Sequence, residues 1–187
     1  MDKKVIFIEG TSDTDNGSLR NAFSRLFEKE LKGKMPHVIM GDGKEQTIDK
    51  FLTKPLALNE HRFLLIDSDQ RMDSLTKQKL VEQIKKRDNK KRLEPSTENV
   101  FFMVQEAEAW ILSQSEILKR MGLKANITQK CHASEIEKPS MVLFDIYRKS
   151  GGQYHKVREF VKVLPMLDTN QLKNEFEEFD SLISALK

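Results

Sequence analysis

Four short apolar runs, each followed by a segment of helical periodicity, constrain this chain more than any other feature. Val5-Ile6-Phe7-Ile8 is β-branched and aromatic and reads as a buried strand. A turn-rich loop, Glu9 to Gly17, precedes a helix with Leu19, Ala22, Phe23, Leu26, Phe27 and Leu31 on one face, stopped near Gly33. His37 to Met40 reads as a second strand, and Ile48, Phe51 and Leu52 mark a short helix ended by Pro55. Phe63 to Ile66 is the clearest strand, closed by Asp67-Ser68-Asp69, and Ser74 to about Arg87 is helical. Val100 to Val104 is the fourth strand, and the spacing predicts a helix from Glu106 to Met121 with Gly122 as its C-cap. Strand and helix alternating in this way predict a mostly parallel four-stranded sheet flanked by helices, an α/β fold.

The character changes after Gly122. No strand pattern follows, and Pro139–Arg148, Val157–Leu164 and Gln171–Leu186 read as helices. Residues 1–122 are therefore expected to form the α/β part and residues 123–187 a helical extension packed on it as one structural unit. At 187 residues the chain can bury a core without disulfides or metal, and its single cysteine, Cys131, excludes a disulfide framework or a CxxC motif. A reducing, cytoplasmic location is expected. The longest apolar run is far too short to span a bilayer, and Met1 to Val5 lead straight into strand-like residues, so neither a membrane segment nor a leader is expected.

In open α/β sheets, ligands bind beyond the carboxyl ends of the strands. Glu9 follows strand one, Asp67 and Asp69 follow strand three, and Glu106 and Glu108 follow strand four. Asp67 and Asp69 are two apart, so at a strand end their side chains can point the same way. Carboxylates gathered together repel unless a cation lies between them, and oxygen-only donors suit Mg²⁺ or Mn²⁺. That is the chemistry of phosphodiester cleavage. The plainer reading makes strand-end acids turn formers or helix caps, and Asp13, Asp15, Asp42 and Asp73 are assigned to it. For Glu106 and Glu108, a place in the first turn of a helix is also a sufficient explanation.

Charge adds a second candidate. The whole chain carries +3, but Arg71 to Arg92 holds nine Lys/Arg against three Asp/Glu. Lys85, Lys86, Arg87, Lys90, Lys91 and Arg92 could hold a phosphate backbone, or form a solvated helix face. Gly43-Lys44 is not a P-loop, since Glu45 stands where Ser or Thr belongs. Lys149, Tyr154, His155 and Lys156 surround a glycine pair and could reach a phosphate, although solvated loop residues are the simpler assignment.

Ile8-Glu9-Gly10 with its Thr-Ser-Asp loop, followed by Leu65-Ile66-Asp67-Ser68-Asp69, resembles the TOPRIM domain of topoisomerases, primases and OLD-type nucleases. Gln105-Glu106-Ala107-Glu108-Ala109-Trp110 is similar to the motif of the RloG-like family, small TOPRIM-related proteins of unknown function found at restriction and phage-defence loci. The resemblance departs where Ser113-Gln114 stands in place of an Asp and where Ser140 replaces a Lys. It implies a TOPRIM-like, Rossmann-like fold. It also implies a Mg²⁺-dependent nuclease-like subunit, with Glu9 as general base or ligand, Asp67 and Asp69 as metal ligands and Glu106 as a supporting ligand. DNA or RNA would be the substrate, and an ABC/SMC-like ATPase encoded nearby would be the protein partner. It leaves room for a homo-oligomer. The only tyrosines, Tyr147 and Tyr154, lie in the helical half, so water is the expected nucleophile. A noncatalytic module that binds nucleic acid or regulates the ATPase is the competing reading. A haloacid-dehalogenase-type phosphatase fits less well, because there the Asp pair closes the first strand.

Overall fold

The computed structural model describes residues 3–11, 16–55, 59–88, 94–123 and 132–187. Four strands, β1 (Lys3–Ile8), β2 (His37–Met40), β3 (Glu60–Asp67) and β4 (Val100–Met103), form one sheet in the order β2-β1-β3-β4. Every pairing is parallel, with Ile8 beside both Met40 and Leu65, and Asp67 beside Met103. All four carboxyl ends therefore meet at one edge, as expected from the sequence. The third strand starts at Glu60, three residues before the apolar run. This polar beginning is anchored by Arg62, which is buried and donates to the carbonyls of Lys54 (2.6 Å) and Pro55 and to the Glu60 carboxylate (2.8 Å).

Side-chain alternation divides the core into two layers. On one face Val5, Phe7, Leu64, Ile66, Val100 and Phe102 meet α2 (Lys44–Thr53) and α3 (Ser74–Arg87). On the other, Ile6, Ile8, Leu65, Phe101 and Met103 meet α1 (Asn16–Leu31) and the helical half. Each helix has a local cause. The buried face of α1 is the predicted one, and the chain leaves it through Lys32 and Gly33, both left-handed. Asp73 caps α3 by accepting from the Thr76 N–H at 2.6 Å.

Two expected helices are broken. The segment predicted as one helix from Glu106 to Met121 is α4 (Glu108–Leu112) and α5 (Ser115–Arg120). At the break, Gln114 exchanges two hydrogen bonds with the Asp168 backbone (2.8 and 3.0 Å), and Gln171 donates to the Ser113 carbonyl at 2.6 Å. Helical backbone bonds are replaced by hydrogen bonds to the tail, which no local pattern encodes. The last predicted helix is α8 (Thr169–Glu175) and α9 (Glu177–Leu186), separated by an extended Phe176. Between these pairs lie α6 (Pro139–Lys149) and α7 (Lys156–Val163), close to their predicted bounds.

The helical half shares the core of the α/β half. Trp110, fully buried, lies edge-on between Phe23 of α1 (6.4 Å) and Phe179 of α9 (5.2 Å). Lys29 of α1 donates to the Leu167 carbonyl at 2.7 Å, and Thr169 donates to Glu30 at 2.6 Å. No helix among the described residues is long and apolar enough to cross a membrane.

Candidate functional site

The site lies at the carboxyl edge of β1 and β3. Glu9 is the first residue beyond β1, and its N–H still bonds to the Leu65 carbonyl at 2.9 Å, continuing the ladder. Its carboxylate turns across the sheet edge to accept from the Asp67 N–H at 2.9 Å. The loop behind it is set by two glycines. Gly41 donates to the Ile8 carbonyl and Gly43 to the Gly10 carbonyl, drawing the two post-strand loops together. A Cβ on Gly10 would lie 2.5 Å from the Gly41 carbonyl oxygen.

Asp67 ends β3 on the face shared with Phe63 and Leu65, under the helical half. It is buried, and Oδ1 accepts from the Ala107 N–H at 2.9 Å. Burial, reinforced by Glu9 and Glu108, pushes its carboxyl well above the usual range, against the opposing pull of Lys156. Burial raises Glu9 as well, with the Asp67 N–H, Lys44 and Lys156 opposing. The two carboxyl groups line a cavity of about 90 Å³ with Gly10, Thr11, Phe23, Ala107, Lys156 and Phe160.

Asp69 does not line this cavity, although its charge is close enough to act on Glu9. The two-residue spacing predicts a shared direction, but Asp69 adopts a left-handed backbone (φ 56) that breaks the strand alternation. Its exposed carboxylate instead meets Lys44 of α2 at 2.5 Å, over the opposite face of the sheet. Glu106 also faces elsewhere: it precedes α4 and accepts from the Ser140 N–H at 2.7 Å, tying down the start of α6. The acid of this segment that lies behind the cavity, against its lysine, is Glu108, completely buried.

Two residues of the tail reach the same place. The Lys156 ammonium, on the first residue of α7, lies 3.3 Å from Glu108 Oε1 and 3.7 Å from Asp67 Oδ2. Burial lowers its pKa, but Glu108 and Asp67 outweigh this and hold it above the ordinary value. Tyr154 donates to Glu108 Oε1 at 3.0 Å. Sequence alone assigns both to a solvated loop. Their only local signal is a basic-aromatic cluster after a glycine pair, and that pattern does not say which surface the loop folds onto.

The donor set can be tested against a divalent cation. Among the described residues, no group of three or more His, Cys, Asp or Glu side chains is arranged to hold a metal ion. Of the four expected ligands, Glu9 and Asp67 share the cavity and Asp69 and Glu106 do not. Two carboxylates nevertheless suffice for Mg²⁺ when waters and phosphate oxygens complete its shell. Glu108 Oε2 is buried and has no hydrogen-bond partner, and Glu108 is not among the residues that line the cavity. A Mg²⁺ or Mn²⁺ ion held here would therefore rest on two carboxylates, Glu9 and Asp67, rather than on the four expected ligands.

The basic segment divides. Lys85 and Lys86 are exposed on the last turn of α3. Arg87 is committed within the fold, to Glu45 at 2.6 Å and Asp49 at 2.8 Å of α2. Lys90, Lys91 and Arg92 lie outside the described residues, as do Asp13, Asp15 and Cys131.

Fold and site together define a parallel α/β protein with a carboxylate-lined cavity at its strand ends, closed by a helical half that contributes a lysine. The chain belongs to the family defined by a domain of unknown function, DUF4276, which matches residues 8–187. Comparison with curated proteins and with solved structures gave no match.

Proposed function

We propose that the protein is a Mg²⁺-dependent, nuclease-like subunit that hydrolyses phosphodiesters at the cavity bounded by Glu9, Asp67 and Lys156. The observation that carries this reading is the convergence of two strand-end carboxylates and one ammonium, from three distant parts of the chain. Glu9 and Asp67 would hold the ion, which when bound supplies charge neutralisation at the scissile phosphate and a more acidic water. Asp69 is within reach of this role only if it leaves Lys44, and an exposed pair of that kind is worth about 0–1 kcal/mol. Lys156 offers an ammonium to a phosphate oxygen. Glu9 would accept the proton from water through the carboxylate oxygen that the ion does not take. Lys85 and Lys86, with the basic residues that follow, would hold the substrate backbone. The ABC/SMC-like ATPase partner and a role in phage defence rest on the resemblance alone.

One observation favours the noncatalytic module. Lys156 already compensates Asp67 and Glu108 from within the fold, which a purely structural cluster would also require. Labelled single- and double-stranded DNA and RNA, incubated with protein and Mg²⁺ or Mn²⁺, separate the two. Cleavage by wild type and its loss in both E9Q and D67N supports the hydrolytic reading. No cleavage with either ion, alone or with the ATPase, leaves the binding module.

A further inference from the structure

We infer that Glu108 is the positioning residue of this site: with Tyr154 it fixes the Lys156 ammonium in the cavity, where a phosphate-bearing substrate meets it. The substrate rests on the hydrolytic reading above; the positioning rests on geometry alone. Lysine is a compact charge on a flexible four-carbon stem, so its backbone does not determine where the ammonium lies. Glu108 does. Its Oε1 is the nearer carboxylate to Nζ, at 3.3 Å against 3.7 Å for Asp67, and it belongs to a residue with 0% exposure. The same oxygen accepts from the Tyr154 hydroxyl at 3.0 Å. Tyr154 is held in turn, its ring 5.4 Å from that of Tyr147, whose hydroxyl donates to the buried Glu159 at 2.8 Å.

Stability alone does not account for this arrangement. The Lys156 side chain is 47% exposed, so its pair with Glu108 is partly solvated and adds little stability, and Glu108 also carries a buried oxygen with no partner. The groups facing the ammonium are Glu9 beyond β1, Asp67 on β3 and Glu108 on α4, with Tyr154 just before α7. Glu9 and Asp67 are the groups assigned to the cation. That leaves Glu108 to hold the lysine once they are engaged.

The test uses the full chain without metal first. Acylation of Lys156 by an amine-reactive ester at one fixed pH, followed by mass spectrometry, reads how firmly the ammonium is held. Glu108→Gln keeps the volume and an acceptor for Tyr154 but removes the charge, and it should speed labelling at Lys156 several-fold without speeding it at Lys85. Glu108→Asp should restore part of the protection, and should Glu108→Gln fail to fold, Glu108→Asp and Tyr154→Phe carry the same comparison. With Mg²⁺ and a labelled oligonucleotide, Glu108→Gln should lower kcat by up to about 100-fold, the scale on which misplacement acts. Adding Glu108→Gln to Lys156→Met should lower it no further. Unchanged labelling at Lys156, or additive losses in the double variant, overturns the inference. Faster labelling in a protein whose wild type never cleaves overturns the hydrolytic reading and leaves the positioning intact.

Discussion

Asp67 is the residue at which site and stability are most directly opposed. Its carboxyl is pushed up by burial and by Glu9 and Glu108, so the folded chain binds that proton more tightly than the unfolded one. The associated stability is complete below the unfolded carboxylate value, about 3.9, and is lost as pH rises through the higher folded value. Glu9 acts in the same direction. The stability that Asp67 and Glu9 contribute to the metal-free protein should therefore fall from acid toward neutral pH, whatever slope the lowered carboxyls of Glu30 and Glu159 add in the other direction. Asp67→Asn, which keeps an acceptor for the Ala107 N–H, should remove the Asp67 share of that fall and melt no lower than wild type at neutral pH. Scanning calorimetry across the range checks this, and a mutant several degrees less stable at neutral pH contradicts it. Gly41 gives a steric counterpart. A Cβ there would lie 1.9 Å from Thr47 Oγ1 and 2.8 Å from the Thr47 Cα. Gly41→Ala should cost about 1–3 kcal/mol by overpacking, read from urea midpoints.

At the scale of elements, the outer edge of β4 explains a buried acid that no motif marked. An edge strand presents unpaired N–H groups that must be covered. Glu178, at the start of α9, accepts from the Phe102 N–H at 3.1 Å and pairs with Lys77 of α3 at 2.8 Å. The extended Phe176 between α8 and α9 precedes this hydrogen bond, so the break in the last predicted helix and the closure of the sheet edge go together. Glu178→Ala should cost about 1–3 kcal/mol, because the Phe102 N–H is left buried and unpaired. A loss confined to a few tenths of that, in chemical denaturation, would mean that water reaches the edge. The breaks at Ser113-Gln114 and Phe176 share a cause: both sit where tertiary hydrogen bonds outweigh a continuous helical pattern.

Across the whole molecule, charge is the property that bears on a partner. Arg87 is engaged by Glu45 and Asp49, so the basic face is narrower than its sequence suggests. Reversing Lys85, Lys86, Lys90, Lys91 and Arg92 to Glu should weaken nucleic-acid binding. It should also lower the slope of log affinity against log salt by about 0.9 for each duplex phosphate that is no longer neutralised. Fluorescence anisotropy at several salt concentrations measures both, and an unchanged slope would reduce the segment to a solubilising surface.

Periodicity alone determined the four strands, a mostly parallel sheet and helices on both of its faces, while the strand order β2-β1-β3-β4 came from the tertiary structure. Buried strands must be apolar and helices must bury one face, so both patterns are written locally. The strand-end rule likewise placed Glu9 and Asp67 at one edge from their positions in the chain. Tertiary structure decided the rest of the site. The left-handed Asp69 turned one expected ligand toward Lys44, Ser140 drew Glu106 to α6, and Glu108 instead met the lysine of the cavity. Lys156 and Tyr154 arrive from the far end of the chain. Their positions depend on how the helical half docks on the sheet, and docking is settled by burial summed over many residues, which no short stretch of sequence contains.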